Sequence, residues 1–165
     1  MMIYLAYLCN WLELLGLAIL IGGMITLGVV VAPTVFTLLP SMGAGGEVMS
    51  TVFLRFNSIV AYICLGLILV GFLGKTILEG GAKRRRFLEG IFLMVILGVG
   101  IYLGSFLTPQ MDQLRQMKNQ DPNNQKAVVE FNTDHKLSEW LYSVNLLLGL
   151  VVLYFNAMDM AKRQK

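Results

Sequence analysis

The longest uncharged stretch of the sequence decides the fold: residues 14–46 read LLGLAILIGGMITLGVVVAPTVFTLLPSMGAGG, without Asp, Glu, Lys or Arg. Three further uncharged runs follow at residues 56–74, 90–111 and 140–158. A helix of about 20 apolar residues crosses the hydrocarbon core of a bilayer. Because backbone polar groups find no water in lipid, a helix is the form that satisfies them. The sequence therefore predicts four transmembrane helices.

The composition supports a membrane protein. Of the 165 residues, 56% are hydrophobic and 14% are charged, whereas soluble domains are about 45–50% apolar and about 25% charged. Two cysteines exclude a disulfide-stapled scaffold, and a net charge of +3 does not indicate a nucleic-acid partner. We predict an all-α fold, an integral membrane four-helix bundle that forms a single domain over residues 1–165.

The predicted spans are set by the uncharged runs and by helix breakers. They cover residues 3–32, 51–75, 87–108 and 122–157. Pro33 is expected to end the first helix, and Pro40 with the glycines at 43, 45 and 46 is expected to prevent a new one. Residues 33–50 are then expected to form an apolar segment at the outer membrane interface, either a short re-entrant segment or a surface segment.

The third connection is expected to be helical. Residues 109–120 space their apolar side chains as a helix does, and Asp121 followed by Pro122 is typical of a helix start. A helix over residues 122–157 would be about 54 Å long, against a hydrocarbon core of about 30 Å. We therefore predict an extended external helical hairpin between the third and fourth helices.

Basic residues predict the orientation. Eight of the thirteen Lys and Arg residues lie in the second connection and the C-terminal tail, which an even number of spans places on one side. The positive-inside rule makes that side cytoplasmic. We predict a multi-pass protein of the inner (plasma) membrane with both termini in the cytoplasm. Lys83, Arg84, Arg85 and Arg86 either bind anionic lipid or act only as a topology signal.

Among the polar residues inside the predicted spans, we single out Glu13, Tyr142 and Asn145. Such groups usually face the protein interior. Glu13 and Asn145 lie at similar depth, so we predict that they are close and hydrogen-bonded. Glu13 is either a proton or cation site or a protonated carboxyl that holds helices together.

A second polar group is predicted where the second and fourth helices meet the outer surface. The candidate ligand-binding residues are Arg55, Asn57, His135, Ser138 and Glu139. Arg55 is expected to pair with Glu139 or Asp134, since unpaired Arg is costly in a low-dielectric medium. The alternative is an interfacial belt, which Trp140 and Tyr142 would also fit.

Small residues predict close helix contacts. Ala18, Gly22 and Thr26 are spaced four apart in the first span, as are Gly100 and Gly104 in the third. This spacing lets helices approach closely, within the chain or between the subunits of a homo-oligomer or larger membrane complex.

No catalytic motif is present, and we predict that the protein is not an enzyme. His135 is the only histidine, so no metal site or cofactor is predicted, although a metal- or haem-linked role stays open. The favoured function is a small binding or transport-related membrane protein with a polar outer-leaflet pocket. The alternative is a structural or accessory subunit of a membrane complex.

Short motifs also suggest a family. They are Pro33-Thr-Val-Phe36, Ala44-Gly45-Gly46 and the spacing Phe131-xxx-His135-xx-Ser138. With these the chain resembles the bacterial DUF4149 group and the related TMEM205-like membrane proteins. The resemblance implies a four-helix membrane protein without an assigned reaction. The layout is more distantly similar to CopD-like and HemJ-like proteins, whose several histidines this chain lacks.

Overall fold

The computed structural model describes residues 2–79, 84–121 and 123–163, and almost all of these are helical. Short links divide them into four long helical stretches. The elements are α1 (Met2–Ile25), π1 (Thr26–Val31), α2 (Ala32–Leu38), α3 (Met42–Arg55), π2 (Phe56–Ala61), α4 (Tyr62–Glu79), α5 (Arg84–Tyr102), π3 (Leu103–Leu107), α6 (Thr108–Gln120) and α7 (Gln125–Arg163).

Each long stretch is apolar enough to cross a membrane. The candidate spans are Tyr4–Leu38, Met42–Leu78, Arg85–Gln120 and Gln125–Met158. The prediction of an all-helical chain with four such helices is confirmed. These spans have 34 to 37 residues, which corresponds to about 51–56 Å at 1.5 Å per residue. All four helices are therefore longer than the hydrocarbon core.

The connection over residues 33–50 differs from the prediction, because it is largely helical. Only residues 39–41 leave the helical conformation, and Leu39 and Ser41 are extended. The Ser41 hydroxyl caps the next helix by accepting from the Ala44 N–H at 3.2 Å. The glycines do not prevent this helix. Gly45 is instead required, since a Cβ there would lie 2.6 Å from Cδ1 of Phe36.

The first helix continues through Pro33 because the preceding turn widens. A proline lacks the N–H and its ring clashes with the carbonyl four residues earlier. The π1 segment ends at Val31, two residues before Pro33. The π3 segment ends at Leu107, two residues before Pro109. A local π turn relieves the clash and keeps the backbone bonded within the membrane. The prediction that Pro33 ends the helix is therefore wrong. The third π segment, π2, contains no proline.

The link before α7 also differs in detail. The helix begins at Gln125, and its cap is Asn124, whose Oδ1 accepts from the Ala127 N–H at 3.1 Å. Asp121 instead accepts from the Asn123 N–H. Pro122 lies outside the described residues. Leu114 of α6 and Ala127 of α7 are buried, and these two helices contact each other.

The closest helix contact joins α1 to α4. A Cβ on Gly71 would lie 2.6 Å from both the Cys9 carbonyl oxygen and the Glu13 nitrogen, and one on Gly16 would lie 2.8 Å from the Cys64 carbonyl oxygen. The order of these contacts makes the two helices antiparallel. A Cβ on Gly22 would have no neighbour within 4 Å, so the small-residue contact predicted there is not made within the chain, and a contact between subunits stays a prediction.

The other predicted glycine pair does lie at a helix contact. Cβ atoms on Gly100 and Gly104 would meet Leu65 and Tyr62 of α4. In addition, α7 packs against both α1 and α5. Their shared core includes the fully buried side chains of Leu17, Ile68, Ile96 and Val152.

Candidate functional site

Four polar side chains meet in the protein interior. We call Glu13, Lys75, Glu89 and Asn156 the buried charge cluster. They come from α1, α4, α5 and α7, and none is more than 1% exposed. Such burial of three ionisable groups is costly unless each charge is paired, so the distances within the cluster decide how it is stabilised.

Lys75 is the centre of the cluster. Its ammonium nitrogen lies 2.8 Å from Oε2 of Glu13 and 2.9 Å from Oε1 of Glu89. It also donates to Oδ1 of Asn156 at 2.9 Å. Since an ammonium group has three protons, these three oxygens match its donors in number. Two of these contacts are hydrogen bonds, to Glu89 and Asn156, and the third is an ion-pair contact with Glu13.

Asn156 joins the two carboxyl groups from the other side. Its amide nitrogen donates to Oε1 of Glu13 at 2.9 Å and lies 3.0 Å from Oε1 of Glu89. The second Glu89 oxygen, Oε2, is buried and has no hydrogen-bond partner among the described residues. Oε2 of Glu13 also has no hydrogen-bond partner among the described residues, although it lies 2.8 Å from the Lys75 nitrogen, so Oε2 of Glu89 is the more open acceptor.

The cluster contains two acids but one base. With both carboxyl groups ionised, it would carry a net charge of −1 in a region that excludes water. In such a medium two neighbouring carboxylates repel strongly, and one proton shared by the pair relieves that repulsion. Lys75 and Asn156 each contact both acids and hold the two carboxyl groups close together.

Arg85 lies beside the cluster, one helical turn before Glu89 on α5. Its guanidinium donates to the Phe155 carbonyl oxygen and lies over the Phe155 ring, 4.9 Å from its centroid. Phe155 directly precedes Asn156. A second positive group therefore lies at the end of the cluster nearest the predicted cytoplasmic connection.

The prediction for Glu13 is confirmed in part. Glu13 is fully buried and contacts the last helix, but its partner there is Asn156 and not Asn145. Asn145 lies eleven residues earlier on α7, about 16 Å along the axis. Its Oδ1 is buried without a hydrogen-bond partner in the described part of the chain. Close packing of Glu13 on Gly71 sets it at the level of Lys75.

A second polar group lies where π2 and π3 meet α7. We call Asn57, Thr108 and Tyr142 the π-level group. The Asn57 amide donates to the Thr108 hydroxyl at 2.9 Å, and the Tyr142 hydroxyl donates to Oδ1 of Asn57 at 2.7 Å. Asn57 is buried, and both of these hydrogen bonds join it to other helices. The candidates Asn57 and Tyr142 are therefore brought together.

Arg55 is not part of this group. It is exposed and forms no ion pair among the residues that the structure describes, so the predicted pairing with Glu139 or Asp134 is wrong. Asp134 instead accepts from Gln110 at 2.9 Å. Residues that are two positions apart in a helix point in directions that differ by about 200° around the helix axis. Arg55 therefore faces outward when Asn57 faces inward.

The remaining candidates lie on α7. His135 and Glu139 are both more than half exposed, with 3.4 Å between Nε2 and Oε1. The buried Ser138 donates to the His135 carbonyl oxygen within its own helix. Among the described residues, no three His, Cys, Asp or Glu side chains come together to hold a metal ion.

The predicted basic cluster is only partly described. Lys83 and the Arg84 side chain lie outside the described part of the molecule. Arg85 lies against Phe155, and the half-buried Arg86 lines a groove between α4 and α5. Arg85 and Arg86 therefore contact different parts of the molecule.

Comparison with known proteins gives a family and no activity. No curated protein and no solved structure matches the chain. The relationship to TMEM205-like and CopD-like proteins stays a prediction. A family model described as a domain of unknown function, DUF4149, matches residues 15–120, which is more than half of the chain. The chain belongs to the DUF4149 family.

Proposed function

We propose that this protein is a small transport-related membrane protein, not an enzyme, that binds and exchanges a proton at the buried charge cluster. The observation that supports this proposal is the unequal number of acids and bases: Glu13 and Glu89 share Lys75 at 2.8 and 2.9 Å. An ionisable group within a membrane helix is costly and is typical of ion and proton pathways.

The composition of the cluster argues for a role beyond packing. A buried ion pair is often no more stabilising than apolar residues of the same volume. A third ionisable group of unbalanced charge adds a further cost. A proton bound within the cluster neutralises its net negative charge. Loss of that proton restores the negative charge. The cluster therefore has two charge states that differ by one proton.

A polar residue also lies between the cluster and the start of α1. Asn10 is buried one turn before Glu13, and its Oδ1 has no hydrogen-bond partner in the described ranges. Together with Oε2 of Glu89, it supplies an open acceptor on the predicted cytoplasmic side. We propose that the proton exchanges with water along this side.

The membrane placement follows the same reasoning. We propose a four-helix bundle in the inner membrane, with both termini and the buried charge cluster towards the cytoplasm. The hairpin of α6 and the start of α7 then lies outside. Support comes from the basic residues near the second connection and from helices longer than the bilayer core.

A structural role is the alternative function. The buried charge cluster joins all four long helices, as an accessory subunit that only needs a fixed shape would require. In that case the cluster holds its protons constant, and the chain would act through contacts with membrane partners or with other copies of itself.

Infrared difference spectroscopy on protein in lipid nanodiscs separates the two functions. A pH step should change the C=O stretching band of a protonated buried carboxyl in the wild-type protein. Glu13→Gln and Glu89→Gln should each remove that change, and Glu47→Gln, at an exposed acid, should keep it. A wild-type band that does not respond to pH would contradict the proton-exchange proposal and favour the structural role.

A further inference from the structure

One face of α7 carries buried polar side chains at two levels. The residues of this face follow one another at steps of four and three: Ser138, Tyr142, Asn145, Gly149, Val152 and Asn156. Asn156 belongs to the buried charge cluster and Tyr142 to the π-level group. Between these levels lie Gly149 and the fully buried Val152. The face therefore presents an inner and an outer polar site, with an apolar gap between them.

Asn145 is the unexplained residue of the outer level. It is 4% exposed, and its Oδ1 has no hydrogen-bond partner among the described residues. An unpartnered amide is costly to bury in an apolar region, and a bound water molecule commonly satisfies such a group. Tyr142 lies one turn earlier on the same face, about 4.5 Å along the axis. Two polar groups at this spacing are typical of a site that one water molecule bridges.

The π-level group leaves the hydrogen-bonding capacity that such a water needs. The Asn57 amide nitrogen has two protons and donates one of them to Thr108, and the Tyr142 oxygen donates to Asn57 but can still accept. Buried waters make about three hydrogen bonds. All these side chains are uncharged, which favours a neutral ligand over an ion. Asn57 also lies within π2, and π turns are frequent at functional sites.

We propose that Asn145 and the π-level group bind a water molecule that forms the outer end of the proton path. This inference rests on the proposed function, because the proton comes from the buried charge cluster. The water takes up one proton from the inner side and releases another of its own protons to the outside, so it is neutral again after each transfer. Asn145 and Tyr142 position the water and keep their own protons.

Water-edited solid-state NMR of the labelled protein in lipid bilayers tests the site, because magnetisation passes first to groups that lie next to water. In the wild-type protein the side-chain amides of Asn145 and Asn57 should receive it early, and the backbone amide of Val152 late. Asn145→Leu should delay the transfer to Asn57, because it removes one partner of the water. Asn10→Leu, which removes an equally buried amide of α1, should leave that transfer unchanged.

Tyr142→Phe is a second variant for the same measurement, since it removes the hydroxyl and keeps the ring. It should also delay the transfer to Asn57. Late transfer to Asn145 in the wild-type protein would overturn the proposal. So would an early transfer to Asn57 that survives both Asn145→Leu and Tyr142→Phe.

Proton flux into proteoliposomes, followed with a pH-sensitive dye, tests the place of the site in the path. Asn145→Leu should lose the wild-type flux and keep the pH-dependent carboxyl band of the buried charge cluster. Ser143→Leu, at an exposed position of α7, should keep both. Absence of wild-type flux, or unchanged flux in Asn145→Leu, would overturn this inference and leave proton exchange at the cluster standing. A wild-type carboxyl band that does not respond to pH would overturn both.

Discussion

The proton proposed for the buried charge cluster should make the stability of the protein fall as pH rises. Under the proposed function, the folded cluster holds one proton beside Lys75. In the unfolded chain both acids are solvated and lose their protons above about pH 5. The folded state therefore binds one proton more than the unfolded state. Stability is then lost with increasing pH, until the folded cluster itself releases its proton.

The size of this effect follows from the proton count. A difference of one proton changes the free energy of unfolding by about 1.4 kcal/mol per pH unit. Glu13→Gln should abolish this slope. The amide keeps an oxygen for Asn156, and the remaining Lys75–Glu89 pair is neutral at 2.9 Å without a shared proton. Glu47→Gln, at an exposed acid, should leave the slope unchanged.

Unfolding in mixed micelles with increasing sodium dodecyl sulfate measures the slope, with circular dichroism as the readout of helix content. We would compare the wild-type protein and both variants between about pH 6 and about pH 8. The difference between slopes isolates the cluster from other titrating groups. A Glu13→Gln slope equal to that of the wild-type protein would refute the shared proton.

Three further predictions concern stability and topology. Lys75→Met should lower the free energy of unfolding by about 3–5 kcal/mol because it leaves buried acids without their cation, whereas Lys126→Met, at an exposed site, should change it by less than about 0.5 kcal/mol. Gly71→Ala should destabilise the protein by about 1–3 kcal/mol, because its Cβ would overlap the α1 backbone. Gly66→Ala should stabilise α4, because a Cβ there meets no neighbour. The same unfolding assay measures the lysine pair and the glycine pair. A cysteine at Asn119 should react with an impermeant thiol reagent on intact cells, and protection there would reverse the proposed topology.

The sequence is sufficient to predict the four helices, because uncharged runs of this length satisfy their backbone only as helices in lipid. It is less informative about where each helix ends. Pro33 and Pro109 are usually helix breakers, but in this chain a π turn precedes each of them and the helix continues. Whether a proline breaks a helix or widens it depends on its neighbours in space, which spacing along the chain does not reveal.

The buried charge cluster was missed for a related reason. Lys75 and Glu89 border the uncharged runs 56–74 and 90–111, and Lys75 was counted with the basic residues of the second connection. Asn156 falls inside a run that was selected only for the absence of charge. In the structure α4 continues past Lys75 to Glu79 and α5 begins at Arg84, so both charged residues lie within helices and can face inward. Pairing them with Glu13 requires the approach of α1 to α4 at Gly71, which is a tertiary contact.

The apolar core decides from which side a proton can reach the buried charge cluster. Leu17 lies one turn from Glu13, Val152 one turn from Asn156, and all their side-chain surface is buried. Ile68 and Ile96 lie two turns from Lys75 and Glu89 and are equally buried. These four residues form a dry layer between the cluster and the π-level group. The proposed exchange with water would therefore proceed from the basic, N-terminal side. Transport to the other side requires the helices to part at this layer, and the three π segments beyond it provide the irregular turns at which membrane helices bend.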